Sequence, residues 1–254
     1  MAKDSTTPLQ IGVAADGSLP LPWLADGLAH AAVLAQAHAL LIHGPAGVGH
    51  LEFALLLAQA GLCERAGAGE GATAPGTLSN SRPALGCGRC ASCHLVVTRV
   101  HPDLLLLLPD AQRVQLGWVG DDDSKLGKAE TKPSREIKVE QVRRAIAWAQ
   151  QTSGRGRGKV LVLHPADAMN TVAANALLKT LEEPPGRLRL LLTSADPERL
   201  LAKCAAAASA CRCTCPAQPP RWPGCKPRAW PTPLPCWPAP VAARCRPWLG
   251  ATKA

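Results

Sequence analysis

Four cysteines carry the most specific chemistry in this chain of 254 residues. Cys63 is followed downstream by the run CGRCASC, which holds Cys87, Cys90 and Cys93. Two overlapping C-x₂-C steps and a fourth thiol can close a tetrahedral thiolate shell around zinc. A shell of four protein ligands has no open position, so such an ion is structural. The same residues admit two other readings. Disulfides are disfavoured in a reducing cytoplasm, and reduced thiols can be buried as small apolar side chains. His94 could substitute as a ligand or be an exposed polar neighbour.

A second constellation concerns phosphate. GPAGVGHL, Gly44 to Leu51, follows the apolar run Leu40 to His43 and precedes a helical pattern through Phe53, Leu56 and Leu57. Strand, glycine-rich turn and helix is the layout of a phosphate-binding loop. Gly44, Gly47 and Gly49 would let backbone N–H groups face an anion at the helix N-terminus. The side chains do not match. His50 stands where the motif needs lysine, and an imidazole with an ordinary pKa of about 6.5 is mostly neutral at pH 7. Leu51 stands where a hydroxyl would hold magnesium. A hydrolase of this layout also needs carboxylates at the end of its central strand, and the run Val160 to Leu163 is followed by His164 and Pro165. Asp167, further on, is more simply a turn or cap residue. We expect no bound nucleotide and no ATP hydrolysis.

These residues need elements to position them. Val160 to Leu163 and Leu188 to Leu192 read as strands buried on both faces, as in a parallel sheet. His101-Pro102-Asp103 and the five leucines after it give another. Ala173, Ala174, Leu177, Leu178 and Leu181 fall at helical spacing, and Pro184, Pro185 and Gly186 stop that helix. Its last turn carries Glu182 and Glu183 at the negative end of the helix dipole, either solvated or facing a partner. Ile137 to Gln151 predicts a further helix, and Pro22-Trp23-Leu24 opens one through Leu28 and Leu34, with Trp23 a packing anchor. Residues 1–20 read as a loose leader, Ala66 to Gly86 as a flexible insertion, and Asp110 to Pro133 as a loop with Asp121, Asp122 and Asp123 solvated. SGRGRGK, Ser153 to Lys159, could meet phosphate through Arg155, Arg157 and Lys159 or be a flexible basic turn.

The net charge of +9 is uneven. Residues 204–254 hold 7 Lys or Arg and no acid, leaving 21 basic against 19 acidic residues in the first 203. The main domain is therefore nearly neutral, and its charge is weak support for nucleic-acid binding. The same 51 residues hold 7 of 11 cysteines and 11 of 24 prolines, a composition that disfavours a regular core. No apolar run approaches the roughly 20 residues of a membrane span, and MAKDSTTPLQ lacks a signal-peptide core. A cytoplasmic protein without membrane contact is expected.

The string NALLKTLEEPP, Asn175 to Pro185, resembles the AAA+ subunits of bacterial DNA clamp loaders. The four cysteines are similar to the gamma and delta-prime types, the HPD tripeptide at His101 to Asp103 is similar to the same family, and ADPERLL at Ala195 to Leu201 resembles the delta-prime type, so the resemblance spans roughly residues 20–201. It implies an AAA+ α/β fold over 21–202, with a parallel sheet, flanking helices and a zinc module at 63–93. It also implies partner-facing roles for Asn175, Lys179, Thr180, Glu182 and Glu183, and a polar sensor at Thr193-Ser194. The implied partners are the gamma or tau and delta subunits, and through them the sliding clamp and primed DNA. The implied role is non-hydrolysing, within a DNA-directed DNA polymerase holoenzyme.

Past Leu201 the pattern stops. The family's Ser-Arg-Cys triplet, whose arginine reaches a neighbour's ATP site, is replaced by AKCAAAASACRC. Re-reading each codon one nucleotide earlier permits VRSRCQRL over Cys204 to Cys211, which points to a frameshift. Residues 203–254 would then be an irregular or disordered tail in place of lid and collar domains, and assembly would be impaired. The alternative is a genuine cysteine-rich domain with a second site at Cys211, Cys213, Cys215 and Cys225. Two other functions compete with the main one: an active gamma-type ATPase, and a zinc-dependent nucleic-acid-binding module that uses the basic tail.

Overall fold

The computed structural model describes residues 11–21, 23–33, 37–65, 85–118, 133–200 and 202–212. Its centre is a parallel sheet of five strands: β1 (Ala39–His43), β2 (Leu104–Leu107), β3 (Lys159–Leu163), β4 (Leu188–Ser194) and β5 (Ser209–Arg212). Their spatial order is β2-β3-β4-β1-β5. β1 pairs with β4 from Ala39↔Leu190 to His43↔Ser194, and β3 pairs with β4 from Lys159↔Leu188 to Leu163↔Leu192.

The apolar runs are continuous because both faces are covered. Val160 and Val162 of β3, Leu40 and Ile42 of β1 and Leu191 of β4 join one core, with α1 (Leu24–Val33) and α2 (His50–Leu62). Leu161, Leu163, Leu188, Leu190 and Leu192 join the other, with α5 (Val139–Gln150), α6 (Thr171–Glu182) and α7 (Ala202–Ala207). Period-two alternation sends successive residues to opposite cores. The helix after β1 lies on one face, and those after β2, β3 and β4 lie on the other. The chain therefore changes face between β1 and β4, the crevice where open α/β sheets bind ligands.

α6 follows its sequence pattern closely. The Asn170 side chain caps it by accepting from Ala173 N at 2.8 Å, and Ala173, Ala174, Leu177 and Leu181 are buried. α5 begins at Val139, two residues later than the pattern suggested, because Ile137 forms a parallel bridge with Met169 instead.

Three expectations change. Ile11 and Val13 are 5% and 3% exposed, so the leader is not loose from residue 11 onward. Buried Gln59 of α2 accepts from Val13 N at 2.6 Å and donates to Val13 O at 3.4 Å, as a strand neighbour would. Asp110 opens a short helix, α4 (Asp110–Gln115), rather than a loop. Its carboxylate is held by Gln141 at 3.0 Å and Lys138 at 3.3 Å, and Ala111 N donates to Ser134 O. The compositional break after residue 203 does not end the sheet, since β5 pairs with β1 from Leu40↔Ser209 to His43↔Arg212. An alanine-rich run with fully buried Cys204 and Cys211 is small and apolar enough to fill an edge position. The insertion at 66–84, Asp121 to Asp123 and the tail from 213 lie outside the described residues.

Candidate metal centre and candidate phosphate site

Cys63 caps the C-terminus of α2 in an extended conformation. Cys90 is the N-cap of α3 (Ala91–Val97), and Cys93 lies in its first turn. The four sulfurs of Cys63, Cys87, Cys90 and Cys93 all lie within 4.8 Å of one another. Cys63 Sγ is 3.9 Å from Cys90 Sγ, and Cys87 Sγ is 3.9 Å from Cys93 Sγ. Ligands at about 2.3 Å from a tetrahedral zinc would sit about 3.8 Å apart, whereas a disulfide needs about 2.05 Å.

Backbone N–H groups point at the sulfurs. Cys87 N donates to Cys63 Sγ at 3.3 Å, Cys90 N to Cys87 Sγ at 3.3 Å, and Cys93 N to Cys90 Sγ at 3.4 Å. Such donors stabilise thiolates, and apolar packing of thiols does not call for them. Burial pushes the Cys63 and Cys93 thiols up. Burial also acts upward on Cys87, but N–H groups of Arg89 and Cys90 outweigh it and bring that thiol to about 6. Two of the four thiols are held in their neutral form by burial, so a cation would have to draw off their protons to be bound, and the four-sulfur donor set fits zinc. His94 is exposed and stands outside the cluster. Of the second cysteine group, Cys211 is a core residue of β5, and Cys213, Cys215 and Cys225 lie outside the described residues.

At the carboxyl ends of β1, β3 and β4 lies the glycine turn. Gly47 and Gly49 have φ of 83° and 93°, a left-handed conformation suited to glycine. His50 begins α2, and Leu51 points into the core at 5% exposure. The turn is covered by the N-terminal segment: Trp23 Nε1 donates to Val48 O at 3.1 Å. Leu21 occupies the space a side chain at Gly49 would need. His50 is 6% exposed, and its Nε2 has no hydrogen-bond partner among the described residues. Burial, then the nearby His43, lowers its pKa.

His164 follows β3 and contacts Thr193 Oγ1 through Nδ1 at 2.7 Å. Thr193 Oγ1 donates to Leu163 O at 3.2 Å, so its hydroxyl accepts from a protonated Nδ1. Burial, with His50 adding to it, holds the His164 pKa down at about 4. This position therefore presents a neutral imidazole at pH 7, where a magnesium site would present carboxylates. Asp167 does more than a turn or cap residue would, because it lies close enough to favour the charged forms of both His50 and His164. Its Oδ1 accepts from Ser194 Oγ at 2.8 Å. Sequence spacing could have flagged it only by allowing the short 3₁₀ turn at Ala166–Ala168.

The motif residues of α6 divide. Asn175, Lys179, Glu182 and Glu183 are exposed, and Thr180 is buried at 7%. The three cations of the basic turn are engaged internally. Arg155 bonds Glu64 and Ser92, Arg157 bonds Glu64 O, and Lys159 donates to Trp148 O at 2.6 Å while lying 4.4 Å from the ring centroid of Trp148.

Residues 29–211 match the sequence profile of a family described as DNA polymerase III, delta subunit. The chain is 37% identical over 166 residues to DNA polymerase III subunit delta' of Pseudomonas aeruginosa, covering 65% of this chain and 40% of that protein. It is 30% identical over 185 residues to subunit delta' of Escherichia coli K12, covering 71% and 45%. It is also 30% identical over 163 residues to subunit tau of Salmonella typhimurium, covering 64% and 19%. The chain thus spans less than half the length of these relatives. A gamma subunit-related protein of Thermotoga maritima superposes with a TM-score of 0.45 at 16% identity, over 76% of this chain and 47% of that one. The chain belongs to the DNA polymerase III delta-prime subunit family.

Proposed function

We propose that this chain is a clamp-loader subunit that hydrolyses no ATP itself and helps neighbouring gamma or tau and delta subunits load the sliding clamp onto primed DNA. The observation that carries the non-hydrolysing part is the crevice at the ends of β1, β3 and β4. There His50, Leu51, His164 and Pro165 replace the groups that would bind phosphate and magnesium, and Leu21 and Trp23 cover the glycine turn. A site with a buried neutral imidazole and no aligned carboxylate pair lacks the charges that hold a nucleotide–magnesium complex.

Zinc at Cys63, Cys87, Cys90 and Cys93 would be structural, holding the end of α2 against the start of α3. Glu182 and Glu183, exposed at the end of α6, would face a subunit or DNA in the assembled loader. The reading-frame proposal concerns residues 203–254. It makes α7 and β5 an out-of-phase segment whose small residues still fit the sheet edge, and the coding DNA around codon 203 decides it.

The role is tested by mixing the purified chain with gamma or tau and delta subunits and measuring complex formation by native mass spectrometry. Binding weaker than that of an intact delta' subunit is expected, because the Ser-Arg-Cys triplet is absent. No binding at tens of micromolar would overturn the clamp-loader assignment, and a complex of normal stoichiometry would overturn the impaired assembly alone.

A further inference from the structure

The guanidinium of Arg155 joins the four-cysteine module to the turn that precedes β3. Glu64 directly follows the ligand Cys63, and Ser92 directly precedes the ligand Cys93. Ser92 Oγ, fully buried, donates to Glu64 Oε1 at 3.1 Å. Arg155 donates to Ser92 Oγ through Nε at 2.8 Å and pairs with Glu64 Oε1 through its terminal nitrogen. The three side chains close a triangle that ties the Cys63 segment to the Cys90–Cys93 segment from outside the sulfur cluster. Arg157 adds a bond to Glu64 O.

The other end of this connection is equally well fixed. Asp103, 1% exposed at the start of β2, accepts from Gly154 N at 2.7 Å, Arg155 N at 2.9 Å and Ser153 Oγ at 2.9 Å. Ser153 Oγ in turn accepts from Gly156 N at 3.0 Å. The backbone of the basic turn is therefore pinned to the sheet, and its Arg155 side chain reaches the module.

We infer that Arg155 is a positioning residue of the metal centre, coupling metal binding at the four cysteines to the docking of the turn Ser153–Gly158. A bound metal fixes the Cys63 and Cys93 segments together, so Glu64 and Ser92 meet the guanidinium as one preformed acceptor pair. Without the metal the two segments are joined less tightly, and the guanidinium must order both. Linkage makes the effect reciprocal: whatever Arg155 adds to metal affinity, the metal adds to docking of the turn. Because Glu64 is 40% exposed at its side chain, solvent screening keeps the effect modest, roughly three- to tenfold in affinity.

The inference rests on the zinc reading above, and the experiment separates the two. Zinc content of the full wild-type chain is measured first, then zinc affinity by chelator competition for wild type, Arg155→Met, Arg155→Lys and Arg157→Met. Hydrogen exchange at 153–158 is followed with and without chelator. We expect about one zinc per chain and zinc binding roughly three- to tenfold weaker in Arg155→Met. Arg155→Lys should be intermediate, since an ammonium lacks the fork that meets both acceptors. Arg157→Met should stay within about twofold of wild type. Chelation should speed exchange at 153–158 while β3 and α6 keep their protection. A wild type without zinc overturns the zinc reading and the coupling with it. With zinc present, unchanged affinity in Arg155→Met, or in Arg155→Lys should the methionine variant not fold, overturns the coupling alone. Unchanged exchange at 153–158 on chelation also overturns it.

Discussion

Replacing His164 by glutamine should flatten the acid sensitivity of this protein. His164 is half-buried behind β3, bonded to Thr193, and its pKa lies at about 4 against an ordinary 6.5. The folded-state pKa is the lower one, so the unfolded chain takes up the proton first as pH falls. The stability gained by keeping this imidazole neutral is complete above about pH 6.5 and is lost progressively toward about pH 4. Between pH 7 and pH 5 the loss works out at about 2 kcal/mol, and the full shift corresponds to about 3 kcal/mol. Glutamine does not titrate, and its amide can still donate to Thr193 Oγ1. Urea unfolding of both proteins at pH 7, 6 and 5 gives the double difference, in which acid effects on the thiolates and on other histidines largely cancel. Wild type should lose about 2 kcal/mol more than His164→Gln over that interval. Equal losses in the two proteins would refute a neutral, desolvated imidazole at this position.

Leu51→Ala should cost about 2–5 kcal/mol in urea unfolding, because this residue is a core side chain rather than a magnesium ligand. A cost below about 1 kcal/mol would contradict that placement. Gln59→Ala should cost about 1–3 kcal/mol and speed exchange of the Val13 amide, since buried Gln59 is that amide's acceptor. Cys93→Ser should purify with substoichiometric zinc and lower the melting temperature, and full zinc retention in that variant would count against the four-thiolate shell.

Continuous apolar runs made most of the sheet legible: Val160 to Leu163 and Leu188 to Leu192 are strands because helices cover both faces, and that pattern is local. α6 was legible for a similar reason, with its spacing and its terminating prolines in one segment. The clustering of the four cysteines was legible because their spacing is a sequence property. What escaped was set by partners distant in the chain. The docking of Ile11 and Val13 depends on Gln59, and α4 depends on Lys138 and Gln141 holding Asp110. Asp167 reaches the histidine cluster only because a 3₁₀ turn brings it to Ser194. The three cations of the basic turn suggested phosphate, but Glu64, Ser92 and Trp148 already engage them. Strand β5 was missed because its alanines and cysteines carry no strong strand preference, and its place is fixed by pairing with β1.

The crevice beneath Leu21 and Trp23 is proposed here to serve no nucleotide chemistry. Titration of the purified chain with ATP, with and without magnesium, tests it directly by equilibrium binding. No saturable binding is expected below about 1 mM, the range of affinities worth only about 4 kcal/mol. Magnesium-dependent binding in the micromolar range would contradict it.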